Sequence, residues 1–196
     1  MRKVIVCNVM SVDGYFAGEG GNVMAVFAGG PPDAYFVERL NAADTLLLGR
    51  LSYEGFLGYW PDRQFADDAT EDERQVSRRD NEIEKVVISD SLTADQTAPW
   101  TETTTIVPRA QAHERVAELK RRPGGDILVF ASHVLWNDLF EQGLVDEIHL
   151  IVSPVVAGAG VPVFENITPA ELELIEVREL EGVQNVVLRY GVRQNT

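Results

Sequence analysis

The feature that most constrains this chain is an alternation. Short apolar runs of strand length are separated by amphipathic stretches of helix length, and the pattern closes on two alternating strands. Strand-like runs lie at Lys3–Met10, Thr45–Leu48, Lys85–Ser89, Thr103–Val107, Ile127–Ala131 and Glu147–Ser153. Between them, one helix begins at Pro32-Asp33 and runs to Ala43, with proline favoured in the first turn. A second follows Gly49-Arg50 through Tyr53 to Gly58 and stops before Pro61. A third opens with Thr70 and Glu73 in capping-box spacing. Helices are also expected over Gln111–Arg122, ended by Pro123-Gly124-Gly125, and from Ser132 to Gly143. The stretch LELIEVRELEGVQNVVLRYGVR predicts a β-hairpin turning at Glu181-Gly182. Strands and helices in alternation followed by a hairpin predict an α/β fold, a mostly parallel sheet with an antiparallel edge, in one domain spanning residues 1–196. In such sheets ligands sit beyond the carboxyl ends of the strands.

Charge narrows the choice of ligand. With 17 basic and 31 acidic residues the net charge is −14, which argues against sequence-independent binding to nucleic acid and against an anionic membrane surface. An anionic small molecule would need a few local basic contacts. Cys7, the single cysteine, lies in an apolar run and reads as a buried strand thiol. The N-terminal apolar stretch is too short for a signal peptide or a spanning helix, so a cytoplasmic protein is expected. No His, Cys and carboxylate spacing suits a metal.

Four expected strand ends carry distinctive residues. The first leads into Ser11, Asp13 and Gly14, where Asp-Gly is also a common turn signal. The second ends at Gly49-Arg50 with Ser52 two residues on; a helix start beside an arginine favours an anion, although an exposed arginine also serves a surface ion pair. The third ends at Ser89-Asp90. The fifth ends at Ala131-Ser132, where Ser132 suits a helix cap and the same helix start suits a pyrophosphate.

The segments SVDGYFAG, LLLGRLSYEGF followed by YWP, KVVIS, and LWNDLFEQGLVDEIHLIVSPVVAGAGVPVF, taken in order, resemble the dihydrofolate-reductase-like superfamily. The closer resemblance is to its branch related to the C-terminal reductase domain of riboflavin biosynthesis enzymes. That resemblance implies a central mixed, mostly parallel sheet of about eight strands flanked by helices. It also implies an NADPH-dependent reductase of a small heterocycle, pterin- or pyrimidine-like, and a homodimer. By the same resemblance Val9, Phe16 and Ala17 lie near the nicotinamide, and Gly49, Arg50 and Ser52 hold the phosphates. Ile88 and Ser89 meet the adenine end, Ala131, Ser132 and His133 form the turn against the pyrophosphate, and Trp136 stands beside the nicotinamide. Two positions depart from the family. Ala131-Ser132 replaces a turn that is usually Gly-Gly or Gly-Ser, and an added methyl would crowd the pyrophosphate. Asp90 would repel a 2′-phosphate, which keeps NADH open as an alternative cofactor.

Hydride transfer to a C=N or C=O bond calls for a proton donor. The acidic residue that in bacterial dihydrofolate reductases stands sixteen positions before the motif's glycine falls here on Asp33. A first-turn carboxylate that suits the helix dipole is the competing role. The glycine-rich stretch GEGGNVMAVFAGGPP reads as a lid, with Met24 and Phe27 as pocket candidates. His113 reads as solvated, His149 as structural, and His133 as a candidate ligand contact. The alternatives to the reductase are a nucleotide-binding protein of the same fold without turnover, for which Ala131 and Asp90 argue, and a riboflavin-pathway pyrimidine reductase.

Overall fold

The computed structural model describes residues 1–193. In chain order the strands are β1 (Val4–Ser11), β2 (Tyr15–Ala17), β3 (Ala43–Gly49), β4 (Glu84–Ile88), β5 (Thr104–Val107), β6 (Asp126–Phe130), β7 (Glu147–Ser153), β8 (Val161–Pro162), β9 (Leu172–Glu179) and β10 (Val186–Val192). The α-helices are α1 (Asp33–Ala42), α2 (Arg50–Leu57), α3 (Trp60–Arg63), α4 (Glu71–Glu82), α5 (Ala112–Arg121) and α6 (His133–Glu141). A mixed, mostly parallel sheet of eight strands draws four from each of two compact units.

The first unit comprises residues 1–4 and 33–135. Its strands run β5-β4-β3-β6, all parallel. Both faces of such strands are covered, which is why they read as unbroken apolar runs: Leu46, Leu47, Leu48, Val86 and Val87 are wholly buried. The expected capping box is present, with the Glu73 N–H donating to Thr70 Oγ1 and the Thr70 N–H to the Glu73 carboxylate. α5 ends at Arg121 before Pro123, and the chain beyond it needs glycine at 125, since a Cβ there would lie 2.7 Å from the Ala42 carbonyl oxygen.

Under β4 the unit buries a charged pair. Lys85 is fully buried; its Nζ donates to the Ile83 carbonyl and to Thr103 Oγ1 and lies 4.4 Å from the centre of the Trp100 ring. Asp80 on α4 is 1% exposed, and no hydrogen-bond donor reaches either of its carboxylate oxygens. Burial pushes the Asp80 carboxyl up to about 7, against the pull of Lys85, and pushes the Lys85 ammonium down to about 8.

The second unit comprises residues 5–32 and 136–196, of which those to 193 are described. Here the order is β1-β7-β10-β9, parallel at β1/β7 and antiparallel thereafter. The C-terminal hairpin is present, but the connection spans residues 180–185 and is closed by the Leu180 N–H on the Asn185 carbonyl, wider than a turn at Glu181-Gly182 alone. A separate two-stranded pair, β2 with β8, was not expected from local pattern. Gly160 makes it possible, because a Cβ there would stand 2.0 Å from the Ala17 carbonyl oxygen. Asp13 anchors the loop beside it, accepting the backbone N–H groups of Ala157 and Gly158 at 2.9 and 2.8 Å. Hydrogen bonds from Ser11 and from these N–H groups hold its carboxyl down at about 2. His149 is buried against Glu147 and Arg189, the structural role its alternation suggests.

Candidate functional site

The carboxyl ends of β3 and β6 are clasped by two serines. Gly49, the last residue of β3, donates its N–H to Ser132 Oγ at 3.0 Å, and Ser132 donates its own N–H to Ser52 Oγ at 2.9 Å. The strand-to-helix turn at Gly49-Arg50 and the turn after β6 are therefore one structure, built from residues about eighty positions apart. Ala131 and Ser132 have φ of 47° and 51°, in the left-handed region that favours glycine. The turn thus carries two side chains on a left-handed backbone. Such a conformation costs about 1–2 kcal/mol per non-glycine residue and is held only where surroundings impose it.

Arg50 opens α2 with its side chain two-fifths exposed, its Nη1 bonded to both carboxylate oxygens of Glu54 at 2.8 and 3.1 Å. Such a surface pair within one helix contributes little to stability, so an anion can compete for the guanidinium. Ile88 closes β4, buried. The Ser89 hydroxyl is turned inward and accepts the N–H groups of Ser91 and Leu92. His133 begins α6 and is buried.

Asp33 is the first residue of α1 and only 9% exposed. One turn on, Phe36 packs edge-on against Phe130 at 4.9 Å, and Phe56 of α2 lies 6.4 Å from the same ring. These aromatics bring the helix that carries Asp33 to the end of β6, next to the clasp. Burial pushes the Asp33 carboxyl up to about 6; the Glu73 and Asp72 carboxylates add to this and Arg63 opposes it.

Arg63 is itself held. It bonds Glu73 through Nε and Nη2 at 3.0 and 2.9 Å, and Asp68 at 2.7 Å, with its guanidinium 5.6 Å from the centre of the Tyr59 ring. The Tyr59 hydroxyl also donates to Glu73, and Arg63 foremost keeps the Glu73 carboxyl down at about 2. Glu73 therefore caps α4 and adds to the upward push on Asp33 at once. The sequence offered the first role through its capping box; α2 ends before Pro61 as expected, and Trp60–Arg63 add a further turn of helix, α3, that accepts the proline in its first turn and carries Arg63.

The remaining expected site residues lie in the second unit. Val9 is buried in β1, paired with Ile151. Phe16 and Ala17 form β2, Phe16 partly exposed and Ala17 buried. Trp136 is wholly buried, edge-on to Phe164 at 5.5 Å. Met24 is largely exposed and Phe27 partly so.

Comparison with known proteins agrees with this architecture. The family model of the RibD C-terminal domain matches residues 2–186. YyaP of Bacillus subtilis is 28% identical over 97% of this chain and 96% of its own. A candidate riboflavin biosynthesis protein from Shewanella sp. PV-4 shares the fold with a TM-score of 0.70 at 18% identity, over 98% and 99% of the two chains. The Thermotoga maritima diaminohydroxyphosphoribosylaminopyrimidine deaminase/5-amino-6-(5-phosphoribosylamino)uracil reductase matches with a TM-score of 0.66 at 12% identity, over 98% of this chain and 57% of that one. No helix among the described residues is long and apolar enough to cross a membrane. The chain belongs to the RibD C-terminal domain family.

Proposed function

We propose that this protein is a nicotinamide-dependent reductase of a small pyrimidine- or pterin-like heterocycle, with NADPH as cofactor. The observation that carries this reading is the clasp of Gly49, Ser52 and Ser132, which opens the start of α2 and Arg50 at adjoining strand ends. Unpaired N–H groups at a helix start, an exposed arginine and a left-handed turn together suit a pyrophosphate. The residues thus fit the nucleotide, whose chemistry when bound is delivery of a hydride from the nicotinamide.

The chain's own contribution to the chemistry is Asp33. A carboxyl titrating at about 6 still holds its proton in about a tenth of molecules at pH 7, enough to protonate a substrate nitrogen or oxygen as charge develops there. The partly exposed Phe36 and Phe56 against Phe130 supply an apolar wall for a flat ring. For a second copy of the chain, β9 offers an edge strand with Leu174, Ile175 and Val177 about half exposed, which supports the homodimer.

The test is consumption of NADPH with a panel of oxidised pyrimidines and pterins, for wild type and Asp33→Asn. Turnover that rises as pH falls through about 6, and loses this dependence in Asp33→Asn, supports the reading. NADPH binding without turnover of any panel member would favour the non-catalytic alternative.

A further inference from the structure

The sign of the charge on the connecting segments limits what the substrate can be. In the second unit, residues 12–32 follow β1 and residues 154–171 follow β7. Residues 180–185 reach the same end of the sheet, since they lead into Val186, which pairs with Val152 of β7. None of these three stretches contains a Lys, Arg or His, and they carry Asp13, Glu19, Glu165, Glu171 and Glu181. Apart from His149, buried in β7, the basic side chains described in this unit are Arg178, Arg189 and Arg193. They lie on the hairpin or just beyond it, and a glutamate meets each of them.

In the first unit, the cations that directly follow the strands are Arg50 and His133 at the clasp and Arg109 after β5. The clasp is the seat assigned above to the nucleotide. Arg109 is paired with Asp90, whose Oδ1 accepts its backbone N–H at 2.9 Å, and the sheet order sets β5 about 14 Å from β6. Towards Asp33 the guanidinium groups are engaged: Arg63 by Glu73 and Asp68, Arg74 by the carbonyls of Gln64 and Ala66. The helix starts are occupied as well. α1 begins with Asp33 itself and α4 with Glu71, Asp72 and Glu73, so the chain's own carboxylates stand where N–H groups would receive an anion. A phosphate monoester brings a charge of about −2 at neutral pH, and in exchange for its water it needs cations or open N–H donors.

We infer that the heterocycle bound beside Asp33 carries no phosphate, so that the substrate class is a neutral or cationic ring, free or with an uncharged substituent. The inference rests on the reading above. It separates this chain from the Thermotoga maritima reductase of like fold, which is named for a phosphoribosyl substrate. The Asp33 carboxyl registers the same field: after burial, Glu73 and Asp72 are what raise it.

Matched pairs of compounds provide the test. Dissociation constants are measured calorimetrically on the full chain with NADP⁺ present, so that no turnover intervenes. The pairs are 5-amino-6-(5-phosphoribosylamino)uracil with its dephosphorylated form, and 6-hydroxymethylpterin phosphate with 6-hydroxymethylpterin. At least one unphosphorylated member should bind, and more tightly than its phosphate by about tenfold or more, the scale of one charge-assisted contact. In Glu73→Gln, which keeps a capping-box residue and loosens Arg63, that gap should narrow. Equal or tighter binding of either phosphate overturns the inference, as does a panel in which no unphosphorylated member binds. An unchanged gap in Glu73→Gln overturns the electrostatic reason given for it. Consumption of NADPH is read separately: turnover that favours a phosphate overturns the inference and leaves the reductase reading intact. Preference for the unphosphorylated ring without any consumption upholds the inference and sinks that reading.

Discussion

Replacing Asp80 with asparagine should stabilise the protein at neutral and mildly alkaline pH. The carboxyl is 1% exposed, meets no hydrogen-bond donor, and titrates at about 7 in place of 3.8. At 1.36 kcal/mol for each pH unit between those values, the ionised form is disfavoured in the folded protein by about 4 kcal/mol. Because the folded-state value is raised, the contribution of Asp80 is fully present below about 4 and lost as pH rises towards 7. Lys85 works in the other direction at higher pH. Its value, lowered to about 8, means that the unfolded chain binds more protons between about 8 and 10.5, so stability recovers there. The pair thus places a trough near pH 7–8 in the stability curve. Asparagine keeps the shape and removes the ionisation. Urea unfolding of wild type and Asp80→Asn at pH 5 and pH 8 provides the assay. The variant should be more stable by about 1.6 kcal/mol at pH 5 and by up to about 4 kcal/mol at pH 8. Equal pH dependence of the two proteins, or a variant weaker at pH 8, would refute the claim that burial of Asp80 outweighs the pull of Lys85.

Further outcomes follow from the site. Ala131→Gly relieves a left-handed φ of 47°, and after the extra freedom glycine has when unfolded it should raise stability by up to about 1 kcal/mol in urea unfolding while leaving NADPH affinity at least as high. Glu73→Gln keeps a capping-box residue at the start of α4 but removes a carboxylate that raises Asp33 and frees Arg63, which lowers it. The midpoint of the Asp33-dependent rate profile should therefore move below 6; no movement would mean that Glu73 does not act on Asp33.

Much of this was legible in the sequence, for identifiable reasons. The buried parallel strands are continuous apolar runs, and the capping box, the Gly49-Arg50 turn and the Ala131-Ser132 turn are local signals that needed no partner to be read. What escaped depends on distant pairing or on geometry that the local pattern does not carry. Ser52 and Ser132 meet across eighty residues, and Arg109 meets Asp90 only because β4 and β5 are parallel neighbours. The pairing of β2 with β8 rests on Gly160 having no side chain. The stop before Pro61 holds for α2, while the short α3 that Trp60-Pro61 opens went unread; proline in a first turn loses no hydrogen bond. Asp33 was found by position; the raised carboxyl that makes it useful comes from burial and from α4, neither of which local spacing reveals.

The central claim is that the clasped turn at Gly49-Arg50 is a nucleotide phosphate seat. The direct measurement is thermal unfolding of wild type and Arg50→Ala with NADPH, with NADH and with neither. A nucleotide at one hundred times its dissociation constant adds about 2.7 kcal/mol, a rise of several degrees. The account predicts that rise in wild type with NADPH and its loss or marked reduction in Arg50→Ala. No rise with either nucleotide, or an equal rise in both proteins, would contradict it.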